Sequence, residues 1–228
     1  MVDEWRAATW SRYRRLVSAR FLDEPARAAF SKAIKAIEDA SAIEIVIAVR
    51  RKSAGYRHAN VIVGVVAAFA GLAAMLFADY AFSIPSILID PFVAGAIAAG
   101  LVEIAPAIKR VLTPVRIRDR EVRRAARAAF VERGVHNTRD RSGVLVYVSW
   151  LEQRAVLVAD SGLDRVLPAE ALAKVESALT AAIGRGGAAV AQELETVLAK
   201  IAPGMPRRAD DLNELPDAID SDLAGGSR

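Results

Sequence analysis

The 228-residue sequence contains no cysteine. Disulfides, thiol catalysis and cysteine-based zinc sites are excluded. It holds two histidines, His58 and His136, far apart along the chain. That excludes a histidine-rich metal site and leaves a histidine-based triad few candidates. No P-loop, dinucleotide fingerprint or zinc-helix motif occurs, which disfavours ATPase, dehydrogenase and zinc-protease readings. The opening residues, "MVDEWRAATWSRYRRLVSAR", carry Asp3 and Glu4 and no apolar core before a cleavage site. A secretory signal peptide is therefore not expected, and any membrane targeting falls to an internal segment.

What is present is oil and charge together. Hydrophobic residues make up 54% and charged residues 25%, with 31 basic and 27 acidic side chains. That mixture suggests a membrane segment attached to a soluble domain. The oil is concentrated in "HANVIVGVVAAFAGLAAMLFADYAF" (58–82), where residues 59–78 carry no charge. As a helix they reach about 30 Å, the thickness of a bilayer's hydrocarbon core. A second stretch, 84–106, contains Asp90 and Glu103, 13 positions apart. That separation is about 20 Å of helix, so a span of about 30 Å can hold each acid near its own interface. There the cost falls well below the roughly 3 kcal/mol expected at the bilayer centre. Small residues recur four apart as Gly64/Ala68, Ala67/Gly71 and Ala96/Gly100, a spacing that permits close helix approach.

Charge predicts a hairpin. Arg50, Arg51, Lys52 and Arg57 precede the first span; Lys109, Arg110 and Arg116 follow the second, and residues 79–90 hold no basic side chain. Both flanks are expected on the cytoplasmic side, with the connector outside. Tyr56 is the single aromatic residue within these basic runs, so anionic lipid headgroups are the expected partners and nucleic acid is not.

Around the oil lie soluble patterns. "EIVIAV" (44–49) reads as a strand buried on both faces. "VLVYVSW" (144–150) and "RAVLVAD" (154–160) read as an antiparallel hairpin. Asp23 caps a predicted helix with Pro25 in its first turn and Phe30, Ile34 and Ile37 on one face. Residues 120–134 form a helix ending at Gly134. Two more follow, with Leu172, Val175, Leu179 and Ile183 in line, then Val190, Leu194, Val197, Leu198 and Ile201 before Pro203. The fold class is α/β, a small sandwich with a two-helix insert after the first strand. Strands on either side of the insert need a common sheet, so the insert must cross the membrane an even number of times.

Five segments result: an N-terminal amphipathic helix (1–22), the first part of the domain (23–56), the transmembrane hairpin (57–110), the second part of the domain (111–203) and an acidic tail (204–228). The first segment suits either the membrane surface or packing on the domain. The tail's end is expected to be disordered.

The chain resembles the TPM domain family, and within it a small membrane-anchored bacterial branch. The likeness is carried by "AIEIVIAV", the membrane hairpin, "HNTRDRSGVLVYVSWLEQRAVLVADSGL" (136–163) and "DDLNELPD" (210–217); it spans roughly residues 27–217. It implies an αβα sandwich around a small sheet, in a bacterial membrane protein. Many members are exported; here the basic flanks and the lack of a signal peptide instead predict a multi-pass protein of the cytoplasmic membrane with soluble domain and termini in the cytoplasm. The resemblance also implies acid phosphatase activity, divalent metal binding, or service in assembly or repair of membrane complexes. Many exported members carry glycines where "ADSG" (159–162) stands here.

Candidate site residues are few. Glu152, Arg154 and Asp160 are the catalytic candidates, and Asp160, Asp164, Asp210 and Asp211 can offer oxygens to calcium or magnesium. The bland alternative has Asp160 capping a turn and Arg154 pairing with Glu152. His136 is expected to hydrogen-bond within its loop. Asp210, Asp211, Glu214 and Asp217 form an acidic patch that is either a solvated tail or a dock for an arginine-rich surface. Two functions follow. One is a membrane-anchored interaction module, accessory to a membrane protein complex. The alternative is a divalent-metal-dependent phosphatase tethered to the cytoplasmic face.

Overall fold

The computed structural model describes residues 21–207, 214–215 and 219–223. Among them are seven α-helices and a four-stranded mixed sheet. The chain divides into an α/β unit, residues 1–53 with 119–228, and a helical unit, residues 54–118.

In the α/β unit, helix α1 spans Glu24–Ala40, and Asp23 caps it by accepting from the Ala26 amide at 2.9 Å. Its end is marked by Ser41, whose hydroxyl donates to the Ile37 carbonyl at 2.7 Å. Strand β1 (Glu44–Arg50) follows. It runs parallel to β2 (Gly143–Ser149), with Glu44 opposite Gly143 and Arg50 opposite Ser149. The strands on the two sides of the insert therefore do share a sheet. β2 turns back into β3 (Arg154–Ala159), its antiparallel neighbour. Alternation then sorts the side chains. Ile45, Ile47, Val49, Val144, Val146 and Val148 face one core, whereas Val46, Ala48, Leu145 and Tyr147 face another. The first core is covered by α1, by α6 (Ala169–Ile183) and by α7 (Gly187–Leu198). The second is covered by Val122, Ala126 and Ala129 of α5 (Val115–Glu132). Gly134 ends that helix in the left-handed conformation (φ 65°) that glycine adopts without steric cost.

Three features refine the expectations. A short strand β4 (Asp220–Ser221) lies parallel to β1 on its free side, giving the order β3-β2-β1-β4. It comes from the segment read as an acidic tail, and Leu223 beyond it is buried in the first core; residues 224–228 lie outside the described residues. Phe21 and Leu22, the last residues of the N-terminal segment, are likewise buried in that core, as the packing alternative has it rather than the membrane surface; residues 1–20 lie outside the described residues. The last helix stops at Leu198 rather than near Pro203.

The outer margin of β3 is covered by side chains. Thr180 Oγ1 accepts from the Ala155 amide at 3.0 Å, and Glu176 Oε1 from the Leu157 amide at 3.1 Å. Arg123 of α5 grips the same carboxylate through both terminal nitrogens, at 3.1 and 2.6 Å. That pairing, opposed by partial burial, raises the guanidinium's affinity for its proton.

In the helical unit, α2 (Arg57–Phe77) and α3 (Ile84–Leu101) are both long and apolar enough to cross a membrane. Only 6% and 17% of their most apolar stretches are buried. A one-turn extension carries α3 to Ile104. Ala105, which precedes Pro106, leaves the helical conformation (φ −117°, ψ 78°) that a following proline disfavours, so the second apolar segment ends two residues earlier than its expected 84–106. A separate short helix, α4 (Pro106–Leu112), follows.

Candidate functional site

The chain leaves the α/β unit and re-enters it at one corner, the β2–β3 turn. Beyond β1 the pairing continues: the Trp150 and Leu151 amides donate to the Arg50 and Arg51 carbonyls, each at 2.9 Å. Glu152 in the turn is buried. Its Oε1 accepts from the Ser53 amide at 2.9 Å, and its Oε2 from the Ser149 hydroxyl. The Ser53 hydroxyl donates to Ser149 Oγ at 2.9 Å and lies 3.3 Å from the Tyr147 hydroxyl. Burial pushes the Tyr147 phenol above its usual pKa, only partly offset by Ser53 and Arg50. At the return, Asp119 receives Arg154 in a two-pronged pair, Nε to Oδ1 at 3.0 Å and Nη2 to Oδ2 at 3.2 Å. Arg154 thus pairs with Asp119 and not with Glu152. The arrangement is a clamp on the two ends of the insert. Ser149, fully buried, cannot reach a substrate, and Glu152 has its carboxylate engaged by protein donors.

Asp160 sits at the far end of β3, about 20 Å along the strand from Glu152. It caps the turn Ser161–Leu163: Oδ1 accepts from the Ser161 amide at 2.7 Å. Its buried Oδ2 lies 3.7 Å from Arg141 Nη1 and takes no hydrogen bond. Asp164 is exposed on the same turn. Asp210 and Asp211 lie outside the described residues, as does Asp217. Glu214 docks on the loop before β2, accepting from the Arg139 amide at 2.8 Å. His136 packs beside Phe130, and its Nδ1 is buried without the expected hydrogen bond. Among the described residues no three histidine, aspartate or glutamate side chains gather where they could hold a metal. The catalytic candidates therefore fall at two separate places.

The helical unit is held together by close backbone approach. A β-carbon on Gly95 would lie 2.6 Å from the Gly64 carbonyl oxygen and 3.0 Å from the Ala68 β-carbon. The small-residue seam is thus Gly64/Ala68 against Gly95/Ala99. Gly100 faces open space, so Ala96/Gly100 does not form it. At the charged end, Asn60 Nδ2 donates to the Ala99 carbonyl at 3.1 Å and to Glu103 Oε1 at 2.9 Å. Lys109 completes the group by pairing with Glu103. His58 Nε2 lies 3.0 Å from Thr113 Oγ1.

These contacts redistribute the basic residues expected at headgroups. Lys109 is buried, and Arg50 pairs with Asp220 of β4. Arg57 and Arg116 are exposed, whereas Arg51, Lys52 and Arg110 are half-buried. Sequence reasoning missed Ser53, Tyr147, Ser149 and Asp119. One signal was present: Tyr147 and Ser149 occupy successive positions on one face of an otherwise apolar strand. Such polar residues need buried partners.

No family model and no curated protein matches the chain. Its structure is similar to the NMR structure of the BA42 protein from the psychrophilic bacterium Bizionia argentinensis, with a TM-score of 0.51 and 16% identity. The alignment covers 86% of this chain and 92% of that one. At that identity the likeness is one of fold.

Proposed function

We propose that the chain is a membrane-anchored, TPM-like interaction module that serves the assembly or upkeep of a membrane protein complex. The hairpin α2–α3 crosses a bacterial cytoplasmic membrane twice and holds the α/β unit at the cytoplasmic face. One observation carries the anchor in this reading. The two most apolar helices pack on each other yet leave Phe69, Phe77, Phe92 and Ile97 between 59% and 88% exposed. A core helix of a soluble protein would be mostly buried, and an apolar surface of this extent requires lipid or protein around it. Arg57 at the start of α2 and Arg110 and Arg116 beyond α3 favour that orientation.

The phosphatase alternative has no gathered ligand set among the described residues to favour it. Topology mapping tests the anchor. Because the chain has no cysteine, each introduced one reports alone. Ser83→Cys is expected to react with an impermeant maleimide added outside cells. Lys52→Cys and Arg116→Cys are expected to react only after permeabilisation. Labelling of Lys52→Cys and Arg116→Cys from opposite sides overturns the hairpin. Co-purification with a membrane complex at fixed stoichiometry in mild detergent supports the module, and metal-dependent phosphomonoester hydrolysis by the pure protein replaces it.

A further inference from the structure

The hairpin carries one charge in a position that lipid does not suit. Asp90 is exposed on α3 and forms no hydrogen bond or ion pair with any described residue. It lies six residues beyond Ile84, about 9 Å along the helix. The facing helix gives the same depth. Asp90 is next to Pro91, whose Cα would be 3.8 Å from a β-carbon on Gly71. Past Gly71, α2 continues outward for six wholly apolar residues, Leu72 to Phe77, again about 9 Å. The spacing of Asp90 and Glu103 alone allows Asp90 a place near the interface, but a bilayer that covers Phe77 submerges it, and its side chain is too short to regain the interface. Carboxylates at such depth face a protein partner or a polar cavity. The face around Asp90 is shaped for a helix: Val93, Ala94, Ile97 and Leu101 continue its stripe at helical spacing and are all exposed.

We propose that this stripe docks a transmembrane helix of a different protein, one that presents a lysine or arginine to Asp90. A second copy does not meet the need, because residues 59–108 contain no lysine or arginine. The inference rests on the membrane reading above and names the chemistry of the partner.

Two measurements test it. Full-length protein in phosphatidylcholine vesicles is mixed with a synthetic leucine/alanine transmembrane helix bearing one lysine at matching depth, or leucine there. Energy transfer is expected to report at least tenfold tighter association with the lysine helix, lost in Asp90→Leu and kept in Asp90→Glu. Equal association of both helices overturns the proposal. In native membranes, a photo-crosslinking residue at Val93 is expected to join a transmembrane segment that mass spectrometry shows to carry a basic residue. Asp90→Leu should cut that adduct tenfold. An adduct with lipid alone, with a second copy, or indifferent to Asp90→Leu overturns the proposal while leaving the anchor standing. Release of the wild-type chain by alkaline carbonate overturns the anchor, and this inference with it.

Discussion

The two units use the same kinds of side chain in opposite ways. In the α/β unit Phe30, Ile34, Ile45 and Leu145 are wholly buried, each seated between a sheet and a helix. In the helical unit Phe69, Leu76 and Phe92 are 61–70% exposed. The first unit satisfies its apolar residues internally, and apolar burial holds it together. The second leaves them to its surroundings, and its cohesion comes from small residues that let two backbones touch.

That contrast can be broken by paired substitutions. Phe30→Ala is expected to lower the stability of the α/β unit by about 3–5 kcal/mol through the cavity it opens. Phe69→Ala should leave it unchanged. Denaturant unfolding of the full chain in detergent, followed by a probe in the α/β unit, checks both, and equal losses would erase the distinction. Gly95→Leu is expected to cost the hairpin roughly 1–3 kcal/mol by overpacking against the Gly64 carbonyl. Gly100→Leu, pointing into open space, should cost nothing. Energy transfer between labels on α2 and α3 distinguishes them. The smallest effect concerns the clamp. Folding raises the Tyr147 pKa, so the folded state holds that proton more tightly than the unfolded one. The associated stability is present below the ordinary tyrosine pKa of about 10 and is lost as pH rises through the folded value. Tyr147→Phe should flatten the fall in stability at alkaline pH and, through loss of the Ser53 contact, lower it at neutral pH by about 0.5–1.5 kcal/mol at most, as unfolding curves across that range would report.

Much of this contrast could be read along the chain. The strands read at 44–49, 144–150 and 154–160, each within a residue of its observed bounds, and the two apolar helices follow from local periodicity, which depends on neighbours a few residues apart. What could not be read depends on distant residues. Arg154 finds Asp119, 35 positions away, because β3 starts where α5 re-enters the unit. Lys109 looks like a headgroup ligand until Glu103 folds beside it. β4 is two residues long, so no period announces it. Leu223 reads as tail until β1 offers it a place. Of the candidate site, the position of Glu152 in the tight turn and the capping role of Asp160 were visible. That the two lie at opposite ends of one strand makes them separate features.

On the membrane anchor proposed above, the sealed border of β3 has a further consequence. Anchoring confines copies of a protein to two dimensions, where collisions between exposed strand margins are frequent and sideways growth of sheets is a hazard. With Thr180 and Glu176 already bonded to the amides a newcomer would seek, and Arg123 locking Glu176 in place, that border refuses annealing. Molecules crowded side by side can therefore brush past one another there without zipping into fibres.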